Sequence, residues 1–145
     1  MRENSFKGYD CYKVISEDYG QTWSDIINFP IPGCHRPVAL RLCDEQVLIG
    51  YRFLQGGVPG FGKWSQNFFV ALTDIDSCLS KSREEAWVRI LTVDFDRSEH
   101  SDTGYSGIVQ LNNREIYLVN YIVDDAPKAY IRGYRINMKD FLVEN

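Results

Sequence analysis

The chain has 145 residues, which is enough for one ordinary domain with a core of its own. Hydrophobic residues make up 44% and aromatic residues 14%, so the composition indicates a globular protein and favours strands. The formal net charge of −4 provides no basic surface for nucleic acid, and no apolar run approaches the roughly 20 residues of a membrane helix.

The N-terminus and the cysteines suggest the compartment. Residues 1–7 are polar and lack the apolar core of a signal peptide. The cysteines form no C-x-x-C pair and have no histidine at metal-ligand spacing, so we expect small reduced thiols, no metal and no other cofactor; they are Cys11, Cys34, Cys43 and Cys78. This pattern predicts a cytoplasmic protein, or a secreted one if a leader has been removed.

The first predicted hairpin joins strands at residues 9–15 and 23–29. Its turn reads Ser16-Glu17-Asp18-Tyr19-Gly20-Gln21-Thr22-Trp23. Asp18 can accept hydrogen bonds from downstream N–H groups, Gly20 can adopt a positive φ, and Trp23 can cover the turn. An ordinary polar hairpin is the alternative. Residues 30–33, with two prolines, are expected to break the pairing and form a linker.

A second group of strands is predicted between residues 36 and 95. The hairpin of residues 36–42 and 46–53 is almost continuously apolar, as expected for a sheet covered on both faces. Residues 54–66 form an irregular excursion rich in glycine and aromatic residues, and strands resume at 67–72 and 87–95. Asp74 begins a turn like the one at Asp18 but without the glycine, and a polar, helical insertion is expected at 80–85.

The last group repeats the second. Residues 105–122 align with residues 36–53 as a short strand, a turn and a longer strand, and Leu42 falls on Leu111. A turn is expected at 112–113 and a final strand at 129–136. Chance similarity of two amphipathic hairpins is the alternative. A repeat of strand groups is typical of propellers and other radial β-arrays.

The turn at residues 16–23 resembles the Asp-box of sialidases and related β-propellers, where it joins the third and fourth strands of a blade. Residues 33–37 and 102–106 also resemble this family. The resemblance implies an all-β fold, a partial propeller of about two to three antiparallel four-stranded blades. In a single domain (1–145), residues 9–29 would be a partial blade, 36–95 a second, and 105–136 a third without its last strand. A sialidase propeller has six blades, so only its C-terminal part is matched; a small β-sandwich or barrel is the alternative.

The resemblance also implies a site. The family uses a tyrosine nucleophile paired with a glutamate, three arginines that bind the substrate carboxylate, and an aspartate acid/base. Tyr105, followed by serine, matches the nucleophile; Arg36 is its equivalent in the repeat and would face the same axial funnel. Arg52, His35 and Asp102 are further substrate-binding candidates. Each also has a structural alternative: a capping aromatic, a salt bridge within a blade, or a solvated loop residue.

No glutamate is placed as the partner of Tyr105, and the early blades are not represented. Glycoside hydrolysis is therefore expected only if missing blades complete the protein; a non-catalytic carbohydrate-binding or protein-interaction module is the alternative. The expected partners are a glycan or other small carbohydrate, with Phe61 and Trp64 available for stacking, and further copies of the chain that cover open blade edges. Neither a membrane nor nucleic acid is expected.

Overall fold

The computed structural model describes residues 1–56, 64–112 and 114–141. Within them, nine strands form three antiparallel sheets of two, four and three strands, in the order β1-β2, β3-β4-β5-β6 and β7-β8-β9. The strands are β1 Asp10–Lys13, β2 Ile27–Pro32, β3 Cys34–Arg41, β4 Gln46–Gln55, β5 Ser65–Asp74, β6 Arg89–Phe95, β7 Thr103–Gln110, β8 Ile116–Ile122 and β9 Tyr130–Ile136. A helix α1 (Ile75–Leu79) follows β5, and a 3-10 helix (Met138–Phe141) follows β9.

The predicted all-β class is confirmed, and the strand numbers are those expected from the sequence. The described residues form no closed barrel. They also contain no helix long and apolar enough to cross a membrane.

The second sheet is the centre of the molecule, because both of its faces are buried. One face packs on the third sheet around Leu48, Phe68, Ile116 and Leu118. The other face packs on the first sheet around Phe29, Ile31, Ile49 and Tyr51. Central strand β4 is therefore buried along almost its whole length, as its continuous apolar sequence predicts. The sheets stack in chain order.

The prediction that residues 30–33 form a linker is wrong for the first three of them. Strand β2 continues to Pro32, and Ile31 is buried against the second sheet. Prolines are tolerated here because, among the described strands, β2 pairs with β1 alone and has a free edge that needs no N–H donor. Only Gly33, with a φ of +57°, turns the chain into β3.

The helix lies earlier than predicted: residues 75–79 are helical and residues 80–85 are not. Asp74 begins this helix, because its carboxylate accepts a hydrogen bond from the Ser77 N–H at 2.7 Å. The Trp87 indole N–H donates to the other carboxylate oxygen at 2.7 Å. Asp74 therefore caps a helix instead of forming a second turn like the one at Asp18, and Trp87 still contacts this aspartate.

The first hairpin has the hydrogen bonds that its sequence predicts. Asp18 accepts from the Thr22 N–H at 2.8 Å and from the Thr22 hydroxyl at 2.6 Å. Ser16 donates to Asp18 at 2.9 Å and accepts from the Gly20 N–H at 2.6 Å. The Thr22 hydrogen bonds lower the pKa of Asp18 to about 2. All of these contacts stay within the turn, which marks it as structural.

The N-terminal residues are attached rather than loose. The Glu3 N–H donates to the Cys34 carbonyl at 2.8 Å, and the terminal amine donates to the Tyr12 carbonyl. Of the thiols, Cys11 and Cys34 are buried, whereas Cys43 is exposed. The N-terminal segment thereby brings Arg2 to the surface next to β3.

The sequence repeat is also a repeat of conformation. Arg36 and Tyr105 both have left-handed backbones, with φ of 53° and 52°. At the same spacing along the chain, Glu45 and Arg114 have φ of 69° and 66° in the two hairpin turns. The turn hydrogen bonds correspond as well: the Leu42 N–H donates to the Gln46 carbonyl, and the Leu111 N–H donates to the Glu115 carbonyl, each at 2.8 Å. The two hairpins are copies of one structural unit.

Candidate functional site

Two matching β-bulges position the first two predicted site residues. Arg36 and Pro37 together face the single residue Tyr51, and Tyr105 and Ser106 face Asn120 in the same way. A left-handed residue with a side chain costs on the order of 1–3 kcal/mol, and such residues often mark functional sites. The Arg36 guanidinium carbon lies 4.1 Å from the centre of the Tyr105 ring. The bulges thus bring together two side chains that lie far apart in sequence.

Arg52 is the buried centre of this region. Its Nε donates to His35 Nδ1 at 3.0 Å, and its Nη1 donates to Gln66 Oε1 at 2.8 Å and to the Thr103 carbonyl at 3.0 Å. These contacts join strands β3, β4, β5 and β7, so Arg52 links the second and third sheets. Gly104 lies against Arg52, and its φ of +146° is what favours glycine there, because a Cβ would be in ordinary contact with Arg52 Cδ at 3.5 Å.

Asp102 connects Arg52 to the aromatic side of the site. Its carboxylate lies 3.7 Å from Arg52 Nη1 and accepts a hydrogen bond from the Tyr121 hydroxyl at 2.5 Å. Tyr121 in turn stacks on Tyr105, with ring centres 5.9 Å apart. Burial, followed by the bond to Asp102, raises the pKa of Tyr121 to about 12. The Tyr121 hydroxyl is therefore protonated, and donates a hydrogen bond to Asp102, across the neutral pH range.

Two open depressions flank this chain of contacts. One, of about 590 Å³, is lined by Arg2, Arg36, Val38, Tyr105 and Ser106, among others. The other, of about 470 Å³, is lined by Trp64, Gln66, His100, Ser101 and Asp102. Within the described residues no carboxylate pairs with Arg36, and its buried Nε has no hydrogen-bond partner. The first depression therefore presents cationic donors beside an aromatic ring.

The positive charge of the surrounding arginines affects the pKa of His35. Burial is the main reason that the pKa of His35 falls to about 4, and the charges of Arg52, Arg2 and Arg36 lower it further. A neutral imidazole is also what Arg52 requires, since His35 Nδ1 must carry a free lone pair to accept its bond. Three arginines thus surround one neutral histidine.

We expect the protein to lose stability as the pH falls from 6.5 to 4. His35 is neutral in the folded protein above about pH 4, whereas its ordinary pKa is 6.5. Within this window the unfolded chain binds the extra proton, so acid favours unfolding. Urea midpoints measured at several pH values should fall more steeply for the natural protein than for His35→Gln, whose amide oxygen can still accept from Arg52. His100→Gln is the control, and equal slopes for the natural protein and His35→Gln would contradict the prediction.

All five site residues predicted from sequence lie in one connected cluster. The pairs are Arg36 with Tyr105, Arg52 with His35, and Asp102 with Arg52. In the part of the chain that the structure describes, however, no carboxylate accepts a bond from the Tyr105 hydroxyl. The tyrosine that has a carboxylate partner is Tyr121.

Sequence reasoning missed two members of this region. The repeat alignment could have indicated Tyr121, because it places Tyr121 at the position of Arg52. No pattern in the sequence indicates Arg2, which reaches the site only because the N-terminal segment packs beside β3. Phe61, predicted to stack on sugars, lies outside the described residues, whereas Trp64 lines the second depression and stacks on Phe6 at 5.7 Å.

Comparison of the chain with protein-family models, with curated proteins and with solved structures gave no match. The fold and the site define the class of protein here: an all-β protein of three stacked antiparallel sheets, with an arginine- and tyrosine-lined surface at the starts of β3 and β7.

Proposed function

We propose that the chain is part of a sialidase-like β-propeller and that its surface at Arg36 binds an acidic sugar through the sugar's carboxylate. One observation carries the proposal. Among the described residues the Arg36 guanidinium has no carboxylate partner, and it lies in an open depression next to Arg2 and against the ring of Tyr105. A guanidinium binds a carboxylate through two parallel hydrogen bonds, and an aromatic ring suits the apolar face of a sugar.

Three features support the propeller architecture. The Asp-box hairpin forms the first sheet, the sheets contain two, four and three strands, and the second and third sheets begin with the same bulged hairpin. Repetition of one antiparallel unit around an axis is what a propeller requires. The bulges lie at the starts of β3 and β7, so both unusual residues would face the axis.

Binding is favoured over hydrolysis by this chain alone. A phenol whose ordinary pKa is about 10 needs a base beside it to attack a sugar. Asp102, the carboxylate of the cluster, accepts its hydrogen bond from Tyr121 rather than from Tyr105. Hydrolysis is the second candidate, for an assembly that supplies a carboxylate at Tyr105, because Tyr105 is 61% exposed beside the proposed carboxylate site.

The binding proposal is tested by calorimetric titration with sialyllactose and with lactose. We expect the acidic sugar to bind and the neutral one to bind at least about tenfold more weakly, since hydrogen bonds to a charged group contribute about 1.5–3 kcal/mol. Arg36→Gln should remove this difference. Arg41→Gln, which changes an exposed arginine paired with Glu45, should leave it unchanged. Equal binding of the two sugars, or full binding by Arg36→Gln, would contradict the proposal.

The hydrolysis candidate is tested separately with fluorogenic sialosides and neutral glycosides. We expect no turnover from the chain alone. Turnover that disappears in Tyr105→Phe would instead assign hydrolysis to this chain, and turnover that persists in Tyr105→Phe would reject Tyr105 as the nucleophile.

A further inference from the structure

The third sheet has an exposed apolar face. Strand β8 alternates: Ile116 and Leu118 are buried against the second sheet, whereas Tyr117 and Val119 lie on the other side and are exposed. We call the outward side the open face; it carries Val109, Tyr117, Val119 and Ile131. Tyr117 is 42% exposed, Val119 36% and Ile131 71%. Contiguous apolar surface of this kind indicates an interaction site.

The repeat identifies what covers such a face. Tyr117, Val119 and Tyr121 occupy the positions of Leu48, Gly50 and Arg52 in the second sheet. Those three residues are buried, because the third sheet packs directly on them. A Cβ on Gly50 would lie 2.8 Å from Ile108 Cδ1 of the third sheet, so the contact is close. The face that carries these positions is therefore covered by the third sheet in the second sheet, and the equivalent face of the third sheet is exposed.

The first sheet, at the other end of the stack, also has an outer side. In the first sheet, Cys11 and Phe29 face the second sheet. Lys13 lies on the same side, because its Nζ donates to the carbonyl of Ser77 in helix α1 at 2.6 Å. Tyr12 lies between Cys11 and Lys13 in β1, opposite Asn28, and is exposed. Among the described residues, the stack thus ends in an uncovered sheet on each side. In a repeat array, a sheet that caps the stack normally has a polar outer face. The open face of the third sheet is mainly apolar, with one ion pair, Arg135 with Glu115, beside Tyr117.

We propose that a second copy of the chain docks head to tail, with the open face of the third sheet against the Tyr12 side of the partner's first sheet. Within the chain, the first sheet packs on one face of the second sheet, and the third sheet packs on the other. If the same order continues into another copy, the sheet that follows the third sheet is the first sheet of that copy. The chain itself supplies that sheet, and two copies joined at both ends form a closed pair. The inference does not depend on sugar binding.

Sedimentation velocity over a range of concentrations tests this inference. We expect the natural protein to be a dimer, and both Val119→Glu and Tyr12→Glu to be monomers, because each substitution places a charge in both junctions. An equimolar mixture of the two variants should form dimers again, since one junction then combines two natural faces. Ile90→Glu, at an exposed position on β6 of the second sheet, is the control and should remain a dimer.

Far-ultraviolet circular dichroism shows whether each variant is folded. A natural protein that is a monomer at every concentration would overturn the inference. So would a Val119→Glu variant that remains a dimer. A Tyr12→Glu dimer beside a Val119→Glu monomer would also overturn it, because the third sheets would then pair with each other.

Discussion

Replacing Phe68 by alanine should lower the free energy of unfolding by about 3–5 kcal/mol, which is the cost of removing a fully buried phenylalanine from a packed core. Phe68 has no exposed surface and lies in β5 between the second and third sheets. Its ring is 5.4 Å from the ring of Tyr134 in the third sheet. The substitution therefore leaves a cavity at the junction on which the stacking of these sheets depends.

Urea denaturation followed by circular dichroism measures this loss. Phe95→Ala is the matched control, because Phe95 lies in the same sheet but is mostly exposed, and its substitution should cost less than about 1 kcal/mol. Similar losses for Phe68→Ala and Phe95→Ala would contradict the packing described for the second sheet. The comparison tests the junction without relying on any proposed function.

The burial of β4 and β8 explains how far the sequence predicts this fold. Val47, Leu48 and Ile49 are consecutive apolar residues, and β4 is indeed covered on both faces. In β8 the pattern alternates in burial although Tyr117 and Val119 are apolar, so sequence alone would place a sheet on both sides. The apolar pattern indicates which surfaces favour burial, and the three sheets of the described residues do not cover all of them.

The errors in the local prediction have a common physical origin. Proline and glycine usually end strands, but Pro30 and Pro32 lie in a strand with a free edge, where no hydrogen bond is lost. The helix formed at residues 75–79 because the Asp74 carboxylate caps its first turn, which outweighs the polar composition of residues 80–85. In both places the neighbouring structure decided between conformations that local sequence leaves open.

The site was predictable where it depends on the repeat and not where it depends on packing between sheets. Arg36 and Tyr105 could be paired because they occupy the same position in two copies of one hairpin. The contact of Tyr121 with Asp102 arises across the loop before β7, and Gln66 reaches Arg52 from a neighbouring strand. Such contacts depend on how neighbouring strands and sheets are aligned with one another, and sequence patterns alone do not predict this alignment.

Arg52→Met should be the most damaging change at the site itself, with an expected loss of about 2–4 kcal/mol in the free energy of unfolding. The methionine would retain the apolar stem but leave two buried acceptors, Gln66 Oε1 and the Thr103 carbonyl, without the guanidinium. Gln66 still accepts from the Thr103 N–H at 3.3 Å, so part of the network survives. Arg41→Met, at an exposed salt bridge with Glu45, is the control and should change stability by less than about 1 kcal/mol.

A second measurement separates the electrostatic role of Arg52 from simple loss of packing. Arg52 is the first charge, after burial, that lowers the pKa of His35. In the folded Arg52→Met variant, the pKa of His35 followed by nuclear magnetic resonance should therefore rise from about 4 towards 6.5. A variant that loses stability but keeps the low pKa of His35 would contradict the charge coupling. A rise in this pKa would show that the charge of Arg52 adds to burial in keeping His35 neutral.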